Sequence, residues 1–93
     1  MIGTESDQLG VVLDNDRFQT IKKAVPAGDT IAKHHHPGKQ VVFICTKGEI
    51  DIFLDDDEVH HLHAGSVLGF AGEHYINGKA IQDAEVCITL IKA

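Results

Sequence analysis

The chain has 93 residues, enough for one domain around one modest core. Its 14 Asp and Glu outnumber its 8 Lys and Arg, giving a formal charge of -6 and no basic surplus with which to neutralise nucleic-acid phosphates or an anionic membrane. No apolar run approaches the ~20 residues of a membrane helix, and the opening MIGTESDQLG has neither the basic nor the apolar region of a signal peptide, so one cytoplasmic domain over residues 1–93 is expected.

In chain order, residues 10–13 and 18–21 are short apolar segments separated by the turn-prone Asp14-Asn15-Asp16. Residues 21–25 read as a strand ending at the turn Pro26-Ala27-Gly28-Asp29, and residues 30–36 as another, closed by Pro37-Gly38. Residues 41–45 are uninterrupted apolar side chains, the pattern of a strand covered on both faces, and Lys47-Gly48 then predicts a hairpin-like turn. Beyond it Ile50, Ile52 and Leu54 alternate with Glu49, Asp51 and Phe53, as in a half-buried strand. Asp55-Asp56-Asp57-Glu58 reads as a solvated hairpin tip, since the run lacks the glycine and terminal glutamate of a calcium-binding EF-hand loop.

Residues 59–62, 67–70, 75–76, 80–81 and 86–91 complete the strands. About nine short strands punctuated by glycine, with scant helix, predict an all-β chain whose antiparallel sheet is closed or sandwiched. Cys45 and Cys87 lie inside apolar runs, without the close Cys or His partners of a zinc site, and read as buried thiols.

Seven histidines fall in three places: His34-His35-His36, His60-His61-Leu62-His63, and His74 alone. Alternation along a strand points His34 and His36 the same way, with Cβ atoms about 7 Å apart, so that both imidazoles can reach an ion between them. His61 and His63 share a face too, but Leu62 is the better core residue, so this pair should face solvent, with His60 on the Leu62 side.

Gly28-x5-His34-x-His36, followed by Gln40 and Gly48, resembles the first motif of the cupin superfamily, G-x5-H-x-H-x(3,4)-E-x6-G. Gly65-Ser66-Val67, then Ala71-Gly72-Glu73-His74 and Asn77, resemble a shortened second motif, G-x5-P-x-G-x2-H-x3-N, and the similarity extends over about residues 20–91. It implies an antiparallel jelly-roll β-barrel, of the small single-domain cupin 2-like kind, around one divalent transition metal, with His34, His36 and His74 as ligands. The motif's glutamate is absent. A gap of three residues after His36 puts Gln40 in its place, which would add a carbonyl-oxygen ligand, whereas a gap of six before Gly48 puts Val41 there and leaves three histidines.

Neutral imidazoles suit Zn, Ni, Fe, Mn or Cu. The activity such a barrel implies is a small metal-dependent enzyme, a dioxygenase, isomerase or similar, acting on a small organic molecule, with Glu73 or Tyr75 as proton carrier. The alternative is a non-catalytic module that senses a small molecule or metal, and a third reading is a barrel whose histidines hold no ion. Exposed sheet edges and the resemblance together imply a homodimer, with Val11, Val12, Phe18 and Ile21 as candidates to add a strand to the partner's sheet.

Overall fold

The computed structural model describes residues 2–92. Nine strands are present: β1 (Gly10–Asp14), β2 (Phe18–Val25), β3 (Thr30–His34), β4 (Lys39–Lys47), β5 (Glu49–Leu54), β6 (Glu58–His63), β7 (Val67–Ala71), β8 (Ile76–Ala80) and β9 (Ala84–Lys92). They form two antiparallel sheets, ordered β1-β2-β9-β4-β7 and β3-β8-β5-β6. The β5–β6 hairpin is the innermost pair, and β4–β7, β3–β8 and β2–β9 are nested outside it, alternating between the sheets. The chain is thus one long hairpin rolled up on itself.

The alternating pattern of the sequence becomes the two inner faces. Ile50, Ile52 and Leu54 from β5 meet Val41, Phe43 and Cys45 from β4 and Val86 and Leu90 from β9 in a single buried cluster. Residues 18–25, which read as two segments, are one strand paired along its whole length with β9. The expected strands at 75–76 and 80–81 are the two ends of β8. Gly78 broke the pattern because it is an inward position with no room for a side chain: a Cβ there would lie 2.8 Å from Ile52 Cδ1 and 3.0 Å from the Asp51 carbonyl oxygen.

One further expectation is corrected. Lys47-Gly48 does not close a hairpin, because β4 and β5 belong to different sheets; it is a corner, made with Gly48 at φ 74. The segments at 10–13 and 18–21 pair with each other, β1 with β2 around a bulge between Val11 and Leu13, which makes β1 the edge strand of the five-stranded sheet.

Cys45 is fully buried while Cys87 is half-buried. In the β4–β9 ladder Cys45 lies opposite Val86 and Ile44 opposite Cys87, so the two thiols project from opposite faces of one sheet and cannot join. Burial pushes the Cys45 thiol up from its ordinary range. A thiol oxidant such as diamide should therefore yield no intramolecular disulfide, and a thiol reagent should label Cys87 well before Cys45 in the native protein. Phe43, 1% exposed at the centre of the cluster, should cost about 3–5 kcal/mol in chemical denaturation when replaced by alanine.

Candidate functional site

The histidine triplet owes its orientation to a bulge. In the β3–β8 ladder Ile31 pairs with Gly78 and His34 with Ile76, three steps on one strand against two on the other. Plain alternation from the buried Ile31 would aim Lys33 inward and His34 at solvent; the extra residue reverses that parity. The Nδ1–H of His34 then donates to the carbonyl of Ala32, within the bulge, at 2.6 Å, which leaves its Nε2 free. The rings of His34 and His36 meet edge to face, centres 4.8 Å apart and planes at 87°. Burial, and after it the neighbouring His34, Lys39 and His35, hold the His36 imidazole below the usual histidine range, favouring its neutral form.

Both rings line a cavity of about 120 Å³ between the sheets. Its walls are Ile21 from β2, Ile31 from β3, Val41 and Phe43 from β4, Phe70 from β7, Ile76 from β8, and Ile88 and Leu90 from β9. Lys23 is the remaining lining residue. It lies on the inner face of β2 opposite Val86 and is exposed, as is His34, while His36 is half-buried and tied through Gly72 to Lys39, at the other end of β9, so the histidines stand at one end of the lining and Lys23 toward the other.

The other predicted ligands lie elsewhere. Val41 is inward and buried, so its neighbour Gln40 is outward, exposed, on the far side of the sheet. His74 belongs to a loop that runs beside the triplet: the His36 N–H donates to Gly72 O at 2.8 Å, and the His35 ring stacks on Tyr75 with centres 4.1 Å apart. Yet the His74 ring donates from Nδ1 to Asp55 Oδ2 at 2.6 Å and lines a separate cleft with Asp55, Asp57 and Glu58. Directly across from His34 stands Ile76, which is where the histidine of the second motif falls if it is counted from Gly65 without shortening. Among the described residues no three His, Cys, Asp or Glu side chains converge in a metal-binding arrangement.

Glu73 accepts the Gly38 N–H at 3.1 Å, and Tyr75 is 41% exposed; neither lines the cavity. Asn77 lies on the outer face of β8, opposite Phe53. The acidic tip is exposed, as expected, but three of its four carboxylates, those of Asp55, Asp56 and Glu58, are engaged. Asp55 and Asp56 take the left-handed backbone at φ 54 and 63, Asp56 pairs with Lys33, and Asp55 accepts from both the Tyr75 N–H and His74. Those two bonds, the backbone one first, hold the Asp55 carboxyl below the usual range. His61 and His63 face solvent, His61 paired with Asp51 across the hairpin, while His60 is half-buried and bonded to Glu58 at 2.6 Å.

No family model matches the chain, and no curated protein matches it. Solved structures do. The chain is similar to an RmlC-like cupin protein from Desulfovibrio desulfuricans, at 22% identity and a TM-score of 0.82 over 88% of this chain and 78% of that one. It is similar to KdgF from Halomonas sp., at 14% identity and a TM-score of 0.81 over 98% and 86%. The cupin domain of Schizosaccharomyces pombe Cnp3 aligns at 13% identity and a TM-score of 0.82 over 99% and 69%. Likeness at such identities is likeness of architecture, and it establishes that the chain has the cupin fold.

The loop holding the triplet rests on Gly72, whose φ is not in the left-handed region; glycine is required because a Cβ would overlap the carbonyl oxygens of His36 and Lys39. Gly72→Ala should cost about 1–3 kcal/mol in denaturation and shift the His34 and His36 ring resonances in NMR. Because the Asp55 pKa is lowered on folding, its stabilisation is complete above about pH 4 and is lost as the pH falls through the depressed value. Asp55→Asn should melt below the parent at pH 7, with the difference narrowing in acid.

Proposed function

We propose that the protein is a small-molecule-binding cupin, a jelly-roll barrel whose ligand enters between β2 and β3 past His34 and His36. The cavity carries this reading: eight apolar side chains from both sheets enclose it, and His34 and His36 stand together at one end, the arrangement of a site that grips a ligand's body and orients its head. Its volume is well under the about 300–1,000 Å³ of clefts for drug-sized ligands, so the ligand is small. Among the described residues the connections between strands are short and supply no lid to exclude water, which favours a binding module over an enzyme.

A divalent transition metal is the proposed cofactor of the histidine pair, with two protein ligands rather than four. Two imidazoles bound to one ion at about 2.1 Å have ring centres roughly 4.5–5 Å apart, and the 4.8 Å found here agrees. The bond from His34 to the Ala32 carbonyl is the kind of outer contact that orients a ligating imidazole. Val41 and Ile76 offer no donor, so solvent or the bound molecule would complete the shell. An ion held there supplies Lewis acidity toward an oxygen of the ligand.

A second copy of the chain is the proposed partner. The outer face of the five-stranded sheet carries Val42, Ile44, Val67, Cys87 and Ile91, with Lys22 and the Lys47–Glu85 pair as its charged residues. Five strands at about 4.8 Å spacing, β2, β4 and β9 of eight or nine residues and β1 and β7 of five, present on the order of 570 Å² of flat face, against the about 800 Å² each partner buries in a standard interface.

Calorimetric titration of metal-free protein with Zn²⁺, Ni²⁺ and Cu²⁺ should give one ion per chain, tightest for Cu²⁺. Binding should vanish in His34→Ala/His36→Ala and stay within about threefold in His74→Ala. Loss in His74→Ala as well would return that residue to the ligand set. Light scattering should find a dimer in the parent and a monomer in Ile44→Glu; a parent that is already a monomer refutes the interface.

A further inference from the structure

The two imidazoles at the end of the cavity differ in what they can offer a ligand. The Nδ1–H of His34 is spent on the Ala32 carbonyl, which can only accept, so the neutral ring presents a bare Nε2 that is itself only an acceptor. His36 has no ring hydrogen bond to any described residue, and in its neutral form one ring nitrogen carries a proton to donate. The rings stand edge to face with centres 4.8 Å apart, close enough to serve one atom between them. That atom must accept from His36 and donate to His34. Among the described residues no carboxylate lines the cavity, and Lys23, its one cationic side chain, stands toward the other end, at the level of Val86 and Cys45. An ammonium head therefore finds no counter-charge, and a carboxylate would set its oxygens against the His34 lone pair.

Volume limits the body. From the histidines the lining runs inward past Ile76 and Val41 to Ile31, Phe43 and Ile88, all apolar. An apolar cavity of about 150 Å³ holds the six carbons of benzene; 120 Å³ is smaller, and saturated carbons are bulkier than aromatic ones, so roughly four fit. We propose that the cavity binds a short aliphatic alcohol, its hydroxyl between His34 Nε2 and His36 and its compact body of about four carbons against Ile31, Phe43 and Ile88. The inference rests on the small-molecule reading of the cavity and adds the ligand's head group and size. A hydroxyl keeps both hydrogen bonds that a water would make between the rings, while the body leaves water for apolar walls. Its oxygen is also the atom that would face an ion held by the two rings. A sugar would strand its further hydroxyls against aliphatic side chains.

The test is an NMR titration of metal-free protein carrying labelled isoleucine methyls, at about pH 8 so that the imidazoles are neutral, with xenon, isobutanol, isobutylamine, isobutyrate and benzyl alcohol as probes. Xenon under pressure reads the cavity without a head group and should shift the methyls of Ile31 and Ile88. Isobutanol should shift the same methyls saturably. Isobutylamine and isobutyrate should bind at least about tenfold more weakly for want of a matched head, and benzyl alcohol at least about tenfold more weakly because of its size. His34→Ala, at an exposed position, should weaken isobutanol about tenfold and leave xenon within about twofold. Xenon binding beside equal affinity for the three isobutyl probes, or isobutanol affinity unmoved in His34→Ala, overturns the alcohol assignment while leaving a small-molecule cavity. Benzyl alcohol binding as tightly as isobutanol overturns the size assigned, and isobutanol that shifts only surface resonances overturns the site. If neither xenon nor any isobutyl probe reaches the cavity methyls, the cavity reading fails as well.

Discussion

One extra residue in β3 sets the character of the cavity. Ile31 and His34 are three positions apart, and in a regular strand an odd spacing places two side chains on opposite faces. Because the β3–β8 ladder slips by one between them, both face inward: Ile31 into the apolar floor, His34 into the mouth. The same slip turns Lys33 outward, where it pairs with Asp56. Bulges commonly re-aim a side chain beside a binding site, and here the bulge also supplies the Ala32 carbonyl that orients the His34 ring.

Around this bulge the rim is held by backbone rather than by packing. The triplet's loop is sewn to the β7–β8 connection through His36 N–H to Gly72 O and Gly72 N–H to Lys39 O, at 2.8 and 2.7 Å. The far side of that connection is sewn to the β5–β6 turn by Asp55, which takes up the Tyr75 N–H and the His74 ring while its own N–H donates to Tyr75 O at 2.8 Å. Three loops distant in sequence become one frame at the end of the sandwich that carries the cavity mouth. Such a frame uses polar residues that look like catalytic candidates in a sequence, and Glu73, Tyr75 and His74 all serve in it.

The cavity and the frame divide the chain's charge between them. Most carboxylates lie on the outer surface or in the frame, beside a lysine, a histidine or a backbone N–H, while the cavity lining carries no acid and has the two imidazoles at one end and Lys23 toward the other.

Much of the architecture was legible in the sequence because it is written in short-range pattern. Alternation in residues 49–54, the apolar run at 41–45 and the regular glycine punctuation determine strands, their inner faces and an antiparallel sandwich; the order of motifs points to the cupin fold that the solved structures share. That the His34 and His36 rings lie side by side also follows from their spacing alone. What the sequence left open turns on register, which is a property of two strands at once. The choice between Gln40 and Val41 depended on which face of β4 the core would take, and apolar burial decided for Val41. Ile76 rather than His74 stands across from His34 because the ladder and the Asp55 hydrogen bond, both made with residues far along the chain, compete for that loop. Likewise, the separation of Cys45 from Cys87 and the placement of β4 and β5 in different sheets were decided only when the rolled hairpin closed, since no local signal records which sheet a strand will join.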